Sequence, residues 1–96
     1  MKSDKYILKD HEAIPTDNLE EWGRMFNNKD RIVKQETLPN GKRVSTVFLG
    51  LNYNWGEGEP LLFETMVFNP DEIDMERYST WEEAEKGHKR MVKKYL

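Results

Sequence analysis

The reading of the fold turns on Ser45-Thr-Val-Phe-Leu-Gly-Leu51, Asn52-Tyr-Asn-Trp-Gly-Glu-Gly-Glu-Pro60 and Leu61-Leu-Phe-Glu-Thr-Met-Val-Phe68. Two runs rich in β-branched and aromatic residues flank a Gly/Asn segment, which predicts two antiparallel strands forming a central hairpin. Working outward, Asn40-Gly41 is a strong turn signal and pairs a strand over 31–38 with one over 43–51. The second run supplies a further strand over 61–68. Lys5 to Lys9 predicts a short first strand, with residues 10–15 as a connector.

Helical spacing appears twice. Asp17 and Glu20 have the spacing of a capping box, and Leu19, Trp22, Met25 and Phe26 fall on one face behind them. Gly23 is expected to let this helix pack closely against a sheet. Asn69-Pro70 breaks the last strand, and an acidic linker runs to Met75. Thr80 and Glu83 then open a second helix, with Glu82, Glu83 and Glu85 early and Lys89, Arg90, Lys93 and Lys94 late. That order complements the helix dipole at both ends. Trp81, Ala84, His88, Met91 and Tyr95 form one stripe along it. The expectation is one α+β domain over 1–96, ordered β-α-β-β-β-α, with an antiparallel sheet and two helices on one face.

Composition sets the limits. The chain has 96 residues, 36% hydrophobic and 34% charged, with three Trp, four Tyr and four Phe, which separates it from disordered sequences. It has no Cys, so disulfide scaffolds and thiolate metal sites are excluded. Met1-Lys-Ser-Asp-Lys5 leads into only a short apolar run, so no signal peptide is expected. No stretch reaches the ~18 apolar residues of a membrane span. A net charge of −3 argues against a duplex-DNA binder, which needs a basic footprint.

Both faces of the central strands read as apolar. Val44, Thr46 and Phe48 face one way and Val47, Leu49 and Leu51 the other; Leu62, Met66 and Phe68 oppose Leu61, Phe63 and Val67. A sheet with one wet face should alternate. The N-terminal segment, the long loop or a second subunit must therefore cover the second face, and a homodimer is the expectation.

Chemistry-bearing residues are few. His88 sits in the apolar stripe, and Glu64 interrupts the most apolar strand; the two form a candidate buried polar pair. Arg43, Arg77 and His88 are the candidate partners for Glu64, because an unpaired buried carboxylate is costly. Metal-ligand spacings are missing, and Ser45, Ser79 and Thr80 lack any elbow or triad context. No catalytic residue, metal or cofactor is assigned. The loop is more suggestive. Tyr53 and Trp55 offer stacking faces and Asn52 and Asn54 offer amide edges, the means by which unpaired bases are held. Arg77, Ser79 and Thr80 add a guanidinium, hydroxyls and free N–H groups for an anion.

The combination of Val44-Ser-Thr-Val-Phe-Leu-Gly-Leu51, Leu61-Leu-Phe-Glu-Thr-Met-Val-Phe68 and Tyr78-x-Thr-Trp-Glu-Glu-Ala-Glu-x-Gly-His88-x-x-Met-Val92 resembles a family of small uncharacterised bacteriophage and prophage proteins. The resemblance covers residues 43–92 and brings no named activity. It implies a phage accessory protein made in the bacterial cytoplasm. In relatives the loop after Gly-Leu often reads Asp-His, where this chain has Asn52-Tyr53, which weakens any metal or acid–base role there. Together these readings favour a non-enzymatic protein that counters host defence by sequestering a small nucleotide-type signal. Direct inhibition of a host defence protein is the alternative, followed by a small enzyme using Glu64 and His88.

Overall fold

The structure is a computed structural model that describes residues 4–96; the reading of Met1, Lys2 and Ser3 lies outside them. The chain is α+β, in the order β1 (Tyr6–Lys9), β2 (Glu12–Pro15), α1 (Leu19–Met25), β3 (Ile32–Thr37), β4 (Arg43–Phe48), β5 (Phe63–Phe68), β6 (Glu72–Tyr78) and α2 (Trp81–Tyr95). A short 3-10 turn at Lys29–Arg31 leads into β3. β3 to β6 form a four-stranded antiparallel sheet in sequence order, and β1 and β2 form a separate two-stranded one.

Two strands were hidden in the sequence. Residues read as a connector form β2, because Asp10 and His11 make the tight turn with positive φ values of 50° and 69°. Such a turn normally advertises itself by Asn-Gly or Asp-Gly, and here no glycine marks it. Residues read as an acidic linker form β6. Its apolar residues Ile73 and Met75 alternate with carboxylates, and Asp74 and Glu76 are held by the basic half of α2 through Lys94, Tyr95 and Arg90. Charges suit an edge strand. They also disguise it.

The helices differ in strength. α2 begins where expected, with the Thr80 hydroxyl accepting from the Glu83 N–H at 3.1 Å. It buries Trp81, Ala84, Gly87, His88 and Met91 and touches all four strands of the larger sheet. α1 starts one residue later than the spacing implied, with Asn18 rather than Asp17 as its cap. Its apolar face is only partly used: Met25 is buried, whereas Leu19 and Phe26 are exposed. Gly23 faces open space, so it does not serve close packing. The close approaches are made elsewhere. Gly50, at φ 76°, leaves room for the Met25 side chain and accepts at its carbonyl from Trp22 Nε1 at 2.9 Å.

The core lies between the sheet and α2. Val44, Thr46, Phe48, Phe63, Thr65, Val67 and Tyr78 face the helix and are buried. The β1–β2 hairpin closes one end of this same layer, with Ile7 packed among Phe48, Phe63 and Trp81, and the His11 ring stacked on Trp81 at 3.7 Å. Leu62 joins this core beside Phe63 instead of opposing it, because it precedes the first residue of β5. Burying each such large side chain is worth about 1.5–3 kcal/mol.

The opposite face is built in rows set by strand register. Gln35, Ser45, Met66 and Met75 lie side by side; Arg43, Phe68 and Glu72 form the row on one side, and Val47, Glu64 and Arg77 the row on the other. It is less apolar than the sequence suggested, and neither the hairpin nor a helix covers it. Tyr53 is the loop residue that reaches it, beneath the Arg77 guanidinium at 4.5 Å.

Candidate functional site

The segment between β4 and β5 is a closed structure of its own. At its base Leu49 and Tyr53 N–H groups donate to Leu62 and Leu61 carbonyls, while Asn52 and Tyr6 N–H groups bond to Asp4 and Gly50. Asn52 Oδ1 accepts from Asn54 N and Leu61 N, at 2.8 and 3.1 Å. Asn54 Oδ1 accepts from Gly56 N, and its Nδ2 donates to the Glu57 and Glu59 carbonyls. Gly58, at φ 112°, supplies the backbone that such a tight path requires. The Asn52 amide oxygen and both ends of the Asn54 amide, expected to read a base, therefore hold the loop instead.

What the loop presents is aromatic. Trp55 is 89% exposed, the largest exposure among the large apolar side chains of the described residues. With Asp4, Tyr6 and its loop neighbours it lines an open hollow of about 610 Å³. Tyr53 is at the margin of exposure and carries Arg77 on its ring. Arg77 Nε in turn donates to Glu64 Oε2 at 2.9 Å, an ion pair in which Glu64 is nearly buried. Glu64 thus takes one of its expected partners, and the pair fixes the guanidinium against Tyr53.

Ser79 and Thr80 stand elsewhere. They line a cavity of about 440 Å³ beside His11 and Trp81, whose remaining rim includes Asp10, Glu12, Glu59 and Glu82. The Thr80 hydroxyl is engaged with Glu83 on both sides, accepting from its N–H and donating to its carboxylate. Four carboxylates against one imidazole make this an unfavourable place for a phosphate. Trp55, Arg77 and Thr80 do not line one cavity: Arg77 belongs to the uncovered sheet face and Thr80 to the hairpin side.

Glu64 and His88 are separated too. Glu64 lies on the uncovered face, whereas His88 is 2% exposed inside the helix–sheet layer. His88 Nε2 is 2.7 Å from Glu36 Oε2, and Nδ1 is 2.6 Å from Thr46 Oγ1. Thr46 Oγ1 is 2.6 Å from Thr65 Oγ1, which accepts from the Tyr78 hydroxyl at 3.0 Å. One order satisfies every atom. Tyr78 donates to Thr65, Thr65 to Thr46, Thr46 to Nδ1, and Nε2–H to the carboxylate, which can only accept. The bond from His88 holds the Glu36 carboxyl below the usual range, and burial pushes the Tyr78 phenol up to about 12. No buried side-chain polar atom among the described residues lacks a partner.

A carboxylate, an imidazole and a hydroxyl in series resemble a catalytic triad, yet Thr46 and Thr65 are fully buried and offer no path to a substrate. The arrangement is a polar spine of the core. Sequence reasoning missed Glu36, Thr46, Thr65 and Tyr78 as its members. The available signal was a pair of threonines at inward positions of facing strands, opposite a histidine in a helix stripe. No group of three or more His, Asp or Glu side chains among the described residues could hold a metal ion. No helix among them is long and apolar enough to cross a membrane. No protein-family model, curated protein or solved structure matches the chain.

Proposed function

We propose that this is a non-catalytic binding protein that acts in the bacterial cytoplasm by docking another protein through the Trp55 loop. One observation carries the reading: an almost fully exposed tryptophan stands on a loop that its own asparagines hold rigid. Exposed tryptophans on pre-ordered loops are favoured interface anchors, because little side-chain or backbone freedom is lost on binding. The resemblance to phage proteins makes a host defence protein the fitting partner, which it would inhibit by occupying a surface.

Sequestration of a nucleotide-type signal is the second reading, and the Arg77–Tyr53 stack favours it as a platform for a base. Against it stand the internally used amides of Asn52 and Asn54 and the acidic surroundings of Ser79 and Thr80. Affinity capture from bacterial lysate separates the two. The protein reading requires one stoichiometric partner that wild type retains and Trp55→Ala loses. Calorimetric heat from mononucleotides, cyclic dinucleotides or adenosine-diphosphate-ribose derivatives, without such a partner, would replace it by sequestration.

A further inference from the structure

We infer that the uncovered sheet face docks a second copy of this chain, related by a two-fold axis running across the strands along the Met66–Met75 row. The inference rests on a different surface from the Trp55 loop and does not require it. The hairpin and α2 both occupy the other side of the sheet, so among the described residues no helix or strand covers this face, which Tyr53 reaches from the loop. Met75 and Ile73 are 38% and 45% exposed on it.

The charges select the occupant. Glu72 lies on one side of the middle row and Arg77 on the other, both on β6. A two-fold axis along that row reverses strand direction while keeping each strand over its own copy. Glu72 therefore comes opposite Arg77 of the second molecule, and by symmetry the contact is made twice. On β4 and β5 the flanking rows lie about 7 Å to either side, two residues of strand rise, and on β6 the bulge beside Phe68 brings Glu72, three residues from Met75, level with its row. On β4 Arg43 comes over Val47 of the second copy and on β5 Phe68 comes over Glu64, so Glu72–Arg77 is the opposite-charge pair that this operator makes. Met66 and Met75 meet their own counterparts, apolar on apolar.

The other two-fold, parallel to the strands, sets Arg77 against Ile32, Glu64 against Val47 and Glu72 against Thr37, and so brings no opposite charges together. Complementarity thus picks one operator. Arg77 bonds Glu64 from Nε, and a guanidinium has five donors, so its terminal nitrogens can meet a second carboxylate. Four strands of this length make a face of roughly 19 by 20 Å, small for a specific interface, so the association is weak and reversible.

Sedimentation equilibrium from micromolar to near-millimolar protein, at low and high salt, tests this. Wild type should dimerise, more tightly at low salt. Glu72→Lys should weaken dimerisation by roughly 10-fold or more at low salt, since it sets like charges opposite each other. Met75→Asp, which places the same charge on both sides of the axis, should abolish it. Glu85→Lys, a charge reversal of the same sign on the outer face of α2, should change nothing. All three positions are exposed, so circular dichroism should show intact folds. A wild type that stays monomeric throughout would overturn the inference. So would Glu72→Lys dimerising as wild type does, or Glu85→Lys weakening it equally.

Discussion

The ring of Tyr78 occupies the space where a β-carbon on Gly87 would stand: such an atom would lie 2.2 Å from Tyr78 Cε1 and Cζ. Glycine in mid-helix normally weakens a helix, but here it lets a strand's phenol lie against the helix backbone and reach Thr65. Gly87→Ala is expected to destabilise the fold by about 1–3 kcal/mol despite the better helix propensity of alanine. Urea denaturation would show it, and an unchanged or raised midpoint would contradict the packing described.

His88→Gln should lower stability by about 1–3 kcal/mol, the usual consequence of disturbing a buried hydrogen-bonded group. Thr46→Val should act in the same direction, since it leaves Nδ1 without a donor and Thr65 without an acceptor. Partner binding by either variant, measured where it is fully folded, should match wild type. A stable His88 variant that no longer binds would instead place the imidazole in the working surface.

Trp55→Ala should leave the thermal midpoint almost unchanged, within about 0.5 kcal/mol of stability, because the side chain touches mostly solvent. Asn52→Ala should behave in the opposite way. It frees the N–H groups of Asn54 and Leu61, so faster amide exchange there is expected, together with weaker partner binding. Equal exchange rates in the two proteins would show that the loop does not depend on its asparagine.

Stability should fall at both extremes of pH. Hydrogen bonds from Lys94 and Tyr95 lower the Asp74 carboxyl from 3.8 to about 2, and Glu36 is lowered chiefly by His88. A depressed carboxyl stabilises the fold above its unfolded value and ceases to do so as pH drops through the folded one. Loss is therefore expected below the ordinary carboxylate range, down towards pH 2. Tyr78 is raised from 10.0 to about 12 by burial, so its contribution is complete below pH 10 and disappears as pH climbs towards 12. Denaturation midpoints across pH, with phenolate absorbance on the alkaline side, would test both limbs.

Much of the architecture was legible because hydrophobic period and capping chemistry agreed. The Asn40-Gly41 turn and the Thr80 cap stand where spacing put them, and so do the central strands, although β4 stops at Phe48 short of Leu51 and β5 begins at Phe63 beyond Leu61. β6 was obscured because its alternating carboxylates serve α2 rather than solvent, and period alone cannot tell a linker from a charged edge. β2 was obscured because Asp10 and His11 accept a backbone that glycine usually supplies, with His11 held by its stack on Trp81. For the site, sequence identified Glu64 and His88 as anomalous but not their partners. Those depend on register: Arg77 is level with Glu64 across one ladder, and Thr46 level with Thr65 across another.

The polar spine from Tyr78 to Glu36 has a consequence for how such a sequence can drift. Loss of one of the buried members leaves its neighbours unpaired in the core, whereas a complete network or a wholly apolar replacement leaves nothing unpaired. Positions 36, 46, 65, 78 and 88 are therefore expected to change jointly rather than singly. Gly87 is bound to them through the Tyr78 ring. In any set of relatives, a tyrosine-to-small change at 78 should travel with release of the glycine at 87 and apolar residues at 46 and 65.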